Sequence, residues 1–381
     1  MNSYLRVCFA SFLMFVSQYM LIPVLPVVLA GELEISIASA GKIFLILTAG
    51  MIFAGPLYSY LIDTYRRKNL CFIAFAVMIL VTIGYYLLNR TLEIWVLPFV
   101  QGVFFGIATS SLTTICIDLT PSDSRSKGNM IFGWFTRLGM IFGIALGSLI
   151  YLNNGFESII LLSVSFGLVG LLFIASVHVP FRAPIGVPLF SLDRFFHPRS
   201  WILFINMILV AFVPGILFPL IHFKIRDLFL LDGWTVPYFV IAGIGFLSSI
   251  ALVKLFFKET DIRKQVIWGL TMLVLAVSLF ILSASQLTQI ISALLLGVAL
   301  GVVTPVLLLM FINLSRHCQR GTANVSSLLS WEIGISLGVA VSCYLHVQSL
   351  SNLAFQLAMF SAALALIFFI AISYPYYKKN V

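Results

Sequence analysis

The sequence predicts an all-α integral membrane protein in which twelve transmembrane helices form two parallel six-helix repeats. Three observations lead there. First, the 381 residues are 61% hydrophobic and 9% charged, with a mean hydropathy of +1.11, which leaves too little polar surface to cover a water-soluble core. Second, apolar stretches of about twenty residues or more, each long enough to cross a bilayer, recur about a dozen times. Third, landmark residues return at an almost constant interval. Asp63, Arg67 and Lys68 reappear as Glu259, Arg263 and Lys264, each 196 positions on. Gly102, Gly106 and Thr109 pair with Gly297, Gly301 and Thr304 at 195, Gly139 and Gly143 with Gly334 and Gly338 at 195, and Pro23 with Pro219 at 196. An offset held across so much of the chain marks two copies of one unit.

The apolar stretches lie near 5–30, 37–62, 69–88, 92–118, 128–151, 156–179, 201–223, 234–257, 265–284, 287–314, 322–347 and 350–374. Barrel strands would be about ten residues long with alternating polarity, so helices fit better. Val28-Leu29-Ala30 resembles a signal-peptidase site, but the run before it is too long for a signal peptide, and the first helix is expected to be retained. Residues 1–180 make the first bundle, 181–200 a linker and 201–381 the second bundle. The linker follows Pro180 and holds Pro184, Pro188 and Pro198 together with Arg182, Asp193, Arg194 and Arg199. Phe190, Leu192, Phe195 and Phe196 predict a short surface-lying helix within it. No segment reads as an ATPase domain, so ion gradients are the expected driving force.

The net charge of +9 follows from topology. With the N-terminus in the cytoplasm, seventeen of the 22 basic residues fall inside and four (Lys42, Arg90, Lys224, Arg226) outside, while Arg137 lies within a helix. Retention of basic loops explains that excess and removes any need for a nucleic-acid partner. Twelve crossings return the C-terminus to the cytoplasm, so both halves share one orientation about an axis along the membrane normal. The five cysteines lack metal spacing and are expected to be free. His178, His197, His222, His317 and His346 fall at or outside helix ends and read as interfacial. Lys42 is placed to snorkel. Catalytic constellations and cofactor motifs are missing, so an enzyme is not expected.

Two charges stand deep in apolar helices. Arg137 is nine residues past Gly128 and Glu332 eleven past Gly321, so both reach about 14–16 Å into a core about 30 Å thick. They occupy equivalent repeat positions, 195 apart. A lone charge at that depth costs a few kcal/mol or more, so each needs a partner, a wet cavity or, for Glu332, a proton. They are the candidates for proton coupling and substrate binding; a structural ion pair is the alternative.

The whole chain resembles the major facilitator superfamily of secondary transporters. Its loop signature reads Ser59…Asp63-Thr64-Tyr65-Arg66-Arg67-Lys68, with Ser59 and Arg66 in place of glycines. Gln101-Gly102 resembles a helix-four motif whose arginine is here Pro98. Gly139-Met-Ile-Phe-Gly143-Ile144-Ala145-Leu146-Gly147-Ser148 is similar to an exporter signature, with Ile144 for its proline and Ser148 for its last glycine. Gln18-Tyr19-Met20-Leu21-Ile22-Pro23-Val24-Leu25-Pro26 looks like the opening of bacterial sugar and drug efflux members.

The resemblance implies alternating access by a functional monomer in the bilayer, with a small-molecule substrate and no cofactor. It implies a cytoplasmic gate of Asp63, Arg67, Lys68 and Asp118, with Asp63 docking near Gly321–Asn324 and Arg67 pairing with Asp118. The second-half set of Glu259, Arg263 and Lys264 is expected to be weaker, because Asn313 replaces the partner acid. Helices one, four, seven and ten line the pathway in this family, which makes Gln18, Tyr19, Gln101, Thr109, Ser110, Asn206 and Thr304 cavity candidates. Pro23, Pro26, Pro214, Pro219 and Pro305 are expected to kink those helices, and the stripe Gly139, Gly143, Gly147 to pack the halves together. Proton-coupled export is the favoured expectation. Uptake symport, uncoupled facilitation, a sensor and a lipid-handling protein are the rivals, the last requiring a cavity open sideways with a basic floor.

Overall fold

The computed structural model of the chain describes residues 2–32, 35–86, 91–121, 125–179, 186–224, 229–231, 234–257, 261–282, 285–316 and 319–381. Among them are twelve helices long and apolar enough to span a membrane: α1 Ser3–Gly31, α2 Ile37–Thr64, α3 Arg67–Tyr86, α4 Trp95–Asp118, α5 Lys127–Asn154, α6 Phe156–Ala175, α7 Pro198–His222, α8 Tyr238–Phe256, α9 Ile262–Leu282, α10 Gln286–Leu314, α11 Arg320–Val347 and α12 Ser351–Asn380. Boundaries agree with those read from hydropathy to within a few residues. Only α12 runs well past its expected end, because Tyr374–Asn380 continues the helix after a π-turn at Phe369–Ser373. A hairpin of β1 (Phe229–Leu231) and β2 (Trp234–Val236), with Leu231 opposite Trp234, interrupts the helices between α7 and α8.

Proline acts unevenly. Around Pro23 the first span loses its helix for one turn, and Pro56, which has no N–H to give, tightens α2 into a 3-10 turn at Gly55–Leu57. Pro214, Pro219 and Pro305, expected to kink α7 and α10, lie inside helices that continue through them.

The two halves pack alike. α1 rests on α5 and α6, α2 on α4, and α3 on α4 and α6; likewise α7 rests on α11 and α12, α8 on α10, and α9 on α10 and α12. The repeated glycines explain this. Gly50 and Gly102 sit against the backbone of Phe99 and Leu47, where a Cβ would collide, and Gly245 and Gly297 sit against Leu294 and Ala242, each 195 positions on. Small residues let helices approach to backbone contact, which drives helix association in lipid.

The stripe Gly139, Gly143, Gly147 has the same role and not the one expected. It faces Phe12, Val16 and Met20 of α1, inside the first half, while the halves meet through α2 with α11 and α5 with α8. Enclosure follows position: α1 and α10 are largely buried and α6 and α12 largely exposed, with Leu161, Leu172, Phe360 and Ile367 pointing outward.

Candidate functional site

The two deep charges lie close to the axis that relates the halves. Asn129 of α5 and Asn324 of α11, repeat equivalents 195 apart, touch through Asn324 Nδ2 donating to Asn129 Oδ1 at 3.2 Å, so the axis passes between them. Arg137 stands two turns further along α5 and Glu332 two turns further along α11. Each is almost fully enclosed, at 5% and 3% exposure.

Arg137 and Glu332 do not form an ion pair. Glu332 accepts a hydrogen bond from the Tyr19 hydroxyl of α1, a contact across the two halves. Arg137 donates at 3.3 Å to the carbonyl of Gly133, in its own helix, and at 3.4 Å to Ser327 Oγ of α11. Both are long for a guanidinium. No carboxylate pairs with Arg137 among the described residues. Beside it is a cavity of about 20 Å³, room for about one water. Met140, Phe246, Leu300, Thr304 and Trp331 line it, and the buried Trp331 Nε1 has no acceptor. The centre is therefore closed and largely apolar, with a guanidinium held only by long hydrogen bonds and an indole N–H that has no acceptor.

Most cavity candidates are occupied in joining helices. Gln101 Nε2 donates to Gln18 Oε1, and the Tyr85 hydroxyl donates to Gln101 Oε1, both at 2.7 Å, tying α1, α4 and α3. Asn206 Nδ2 binds the Ala365 carbonyl of α12 at 3.0 Å. Thr109 and Thr304 donate to carbonyls one turn back in their own helices. Gln18, Gln101, Thr109 and Asn206 thus line no described cavity, and Ser110 holds the linker instead. Of the seven, Tyr19 and Thr304 reach the centre. Of the histidines read as interfacial, His222 is buried in α7 and His197 is buried within the linker.

At the end of the bundle that carries both termini, the basic end, Arg67 pairs with Asp118 as expected and with Asp63 at 2.6 Å. Lys68 caps the Ala175 carbonyl of α6 at 2.7 Å. Asp63 does not dock on α11. Residues 191–197 of the linker enter between the halves, where they form no surface-lying helix, and Arg194 takes that carboxylate. Arg194 Nε and Nη2 donate to Asp63 at 3.0 and 2.9 Å, and Nη1 to Thr114 Oγ1 at 2.9 Å. Its carbonyl accepts from Ser110 at 3.2 Å. Toward the other half, Arg194 N–H donates to Thr322 Oγ1 at 3.0 Å, Thr322 donates to Asp193 at 2.7 Å, and His197 N–H donates to Ser326 Oγ at 2.7 Å.

Phe195 completes the seat, edge-on to Tyr58 at 5.9 Å and over the bare face of Gly55. Arg194 adopts φ 59°, a left-handed backbone that non-glycine residues avoid. The surrounding bonds hold it there. In the second half, Arg263 lies over the Tyr374 ring at 5.2 Å and Lys264 is exposed, 3.6 Å from Asp261. Asn313 Nδ2 donates to the Tyr377 hydroxyl. Glu259 lies outside the described residues.

Sequence reasoning missed Arg194, Thr322 and Ser326. The only trace was an Asp-Arg pair in a proline-bounded linker.

Among solved structures, the human organic anion transporter MFSD10 (TETRAN) superposes with a TM-score of 0.71 over 96% of this chain and 98% of its own, at 17% identity. A mutant form of the nucleoside transporter NupG gives 0.66 over 97% and 99%, at 14% identity. At such identities the likeness shows the fold. No curated protein matches in sequence. A family model described as Major Facilitator Superfamily matches residues 7–258, well over half of the chain. With that match and the shared fold, the chain belongs to the major facilitator superfamily, a family of membrane transporters and not of enzymes.

Proposed function

We propose that the protein is a secondary active transporter that works by alternating access and exports a small molecule in exchange for protons. The observation that carries the proposal is the hydrogen bond from Tyr19 to Glu332. It joins opposite halves across a closed, nearly dry centre, so parting the halves breaks it and wets the carboxyl. A carboxyl enclosed in one conformation and wetted in another exchanges its proton with the conformational change. That is what coupling to a proton gradient requires.

Arg137, whose donors lack strong acceptors, orients an anionic or acceptor-rich group of the substrate. The basic end faces the cytoplasm, and the linker closes it: Arg67 holds Asp63 and Asp118 within the first half, and Arg194 carries the connection to α11. Export in particular rests on the resemblance of Gln18–Pro26 and Gly139–Ser148 to bacterial sugar and drug efflux members.

The test is accumulation of labelled sugars, amino acids and drugs in efflux-deficient cells expressing wild type or Glu332→Gln, with and without an uncoupler. Export by this mechanism lowers accumulation of a compound, and both the uncoupler and the substitution restore it. Raised accumulation reverses the direction to uptake. Flux indifferent to uncoupler and substitution makes the protein a facilitator with a structural Glu332.

A further inference from the structure

The seam between the halves is packed unequally along its two sides. Where α2 meets α11, Gly41 lies against Cys343 and the Val339 carbonyl, and Thr48 is hydrogen-bonded to Ser336. Where α5 meets α8, a Cβ on Gly243 would stop 3.6 Å from Ala145 and Ile141, and Trp134 meets Phe246 edge-on at 6.1 Å. Below that aromatic pair, toward the basic end, a cavity of about 820 Å³ separates α5 from α8, α9 and α10. Its volume falls in the range of pockets that enclose drug-sized ligands, about 300–1,000 Å³.

The lining has one sign of charge. Lys127 and Lys254 stand on opposite sides of the seam, and among the described residues no carboxylate lines the cavity. Neither lysine is ion-paired among the described residues. The walls are mainly apolar, built from Met130, Trp134, Val253, Phe257, Val306 and Leu309, with Ser249 and Gln265 as polar members. Ile250 lines the cavity and is 37% exposed, one turn along α8 from the exposed Leu247. The cavity therefore borders the exposed face of α8 that carries Leu247. Its inner end is the Trp134–Phe246 pair. Trp134 lines this cavity, and Phe246 lines the small one that holds Arg137 and the unpartnered Trp331 Nε1. A ligand moving inward passes from two exposed cations to one enclosed cation.

We infer that this cavity loads an amphipathic anion, one anionic group on an apolar body the size of a single fatty chain, from the leaflet at the basic end. Lys127 and Lys254 hold the anionic group at the mouth while the body lies on the apolar wall. As Trp134 and Phe246 part, the group passes to Arg137, supplying a strong acceptor in place of the guanidinium's long hydrogen bonds and the acceptor that the indole lacks. The inference rests on the transport reading above and adds its substrate class. It also fits export, because an anion leaving a cell with an inside-negative potential moves downhill in the field.

The test is intrinsic tryptophan fluorescence of the full chain in phosphatidylcholine nanodiscs, titrated with a bromine-labelled dodecanoate. Trp134→Phe isolates the signal of that ring. Saturable quenching of the Trp134 component is expected, with half-saturation raised at least about tenfold in Lys127→Gln/Lys254→Gln. Both lysines are exposed, so their replacement leaves packing intact. Brominated dodecylamine and bromoacetate at the same concentrations should leave that component unquenched.

Equal quenching by the amine or by brominated dodecanol overturns the inference, as does a double variant that titrates like wild type. Quenching only when brominated phosphatidylglycerol is placed in the nanodisc assigns the site to a two-chain lipid and overturns the single-chain class. No outcome depends on flux. A negative result therefore leaves proton-coupled transport standing, and loss of proton coupling leaves the binding result standing.

Discussion

Arg194→Ala separates the linker from the gate. The guanidinium makes three bonds of 2.9–3.0 Å, two to Asp63 and one to Thr114. Hydrogen bonds to charged groups contribute about 1.5–3 kcal/mol each. Two facts discount the sum: Asp63 keeps Arg67, and the Arg194 side chain is 22% exposed, so solvent screens part of the attraction. A net of ~2 kcal/mol in favour of the closed basic end remains, equivalent to about a 30-fold shift in population.

Alanine bears the same left-handed backbone cost as arginine, so the substitution isolates the side chain. The assay is the labelling rate of Thr113→Cys, a buried position beside Gly321 of α11, by an impermeant maleimide applied at the basic end. Labelling should be about 10- to 30-fold faster in the Arg194→Ala background, and Arg194→Lys should recover part of the protection. Equal rates in the two backgrounds would refute the idea that the linker holds this end shut.

Other outcomes follow from the same contacts. Asp118→Asn leaves Asp63 as the carboxylate partner of Arg67, so labelling of Thr113→Cys should rise by less than in Arg194→Ala. Burial holds the His197 imidazole below its ordinary value. The undocked linker therefore binds a proton first as pH falls through about 6.5, docking weakens, and labelling should quicken between pH 7.5 and 5.5; His197→Asn should flatten that rise. Gly102→Ala forces a methyl into the Leu47 carbonyl and should destabilise by about 1–3 kcal/mol, seen as a lower Tm. Gly31→Ala meets nothing within 4 Å and should leave Tm unchanged.

How much of this was legible in the sequence depends on the range of the cause. Spans were readable because crossing a bilayer demands apolar length within one segment. The glycine offsets were readable because backbone-to-backbone crossings need glycine at the same place in each half, as Gly102 against Leu47 and Gly297 against Ala242 show. Arg137 and Glu332 announced themselves as charges in apolar surroundings. Their partners did not: a tyrosine hydroxyl 313 residues from the carboxyl it serves carries no local mark.

Gln18, Gln101 and Asn206 join helices in this structure, and an amide that joins two helices and one that faces a cavity look alike in sequence. The linker misled for a different reason. Its phenylalanines suggest a surface helix, but Gly55 leaves a bare face at Tyr58 that takes Phe195 and draws Arg194 down onto Asp63. The wide cavity at Lys127 and Lys254 reflects unequal packing of two seams that the repeat alone would make equivalent.

The most direct measurement of the central claim is internal pH in proteoliposomes holding wild type or Glu332→Gln. A trapped dye reports the pH when the compound with the largest cellular effect is added outside. Exchange of substrate for protons predicts internal alkalinisation in step with substrate uptake in wild type, and none in Glu332→Gln. Substrate uptake without a pH change, or the same change in both proteins, would contradict it.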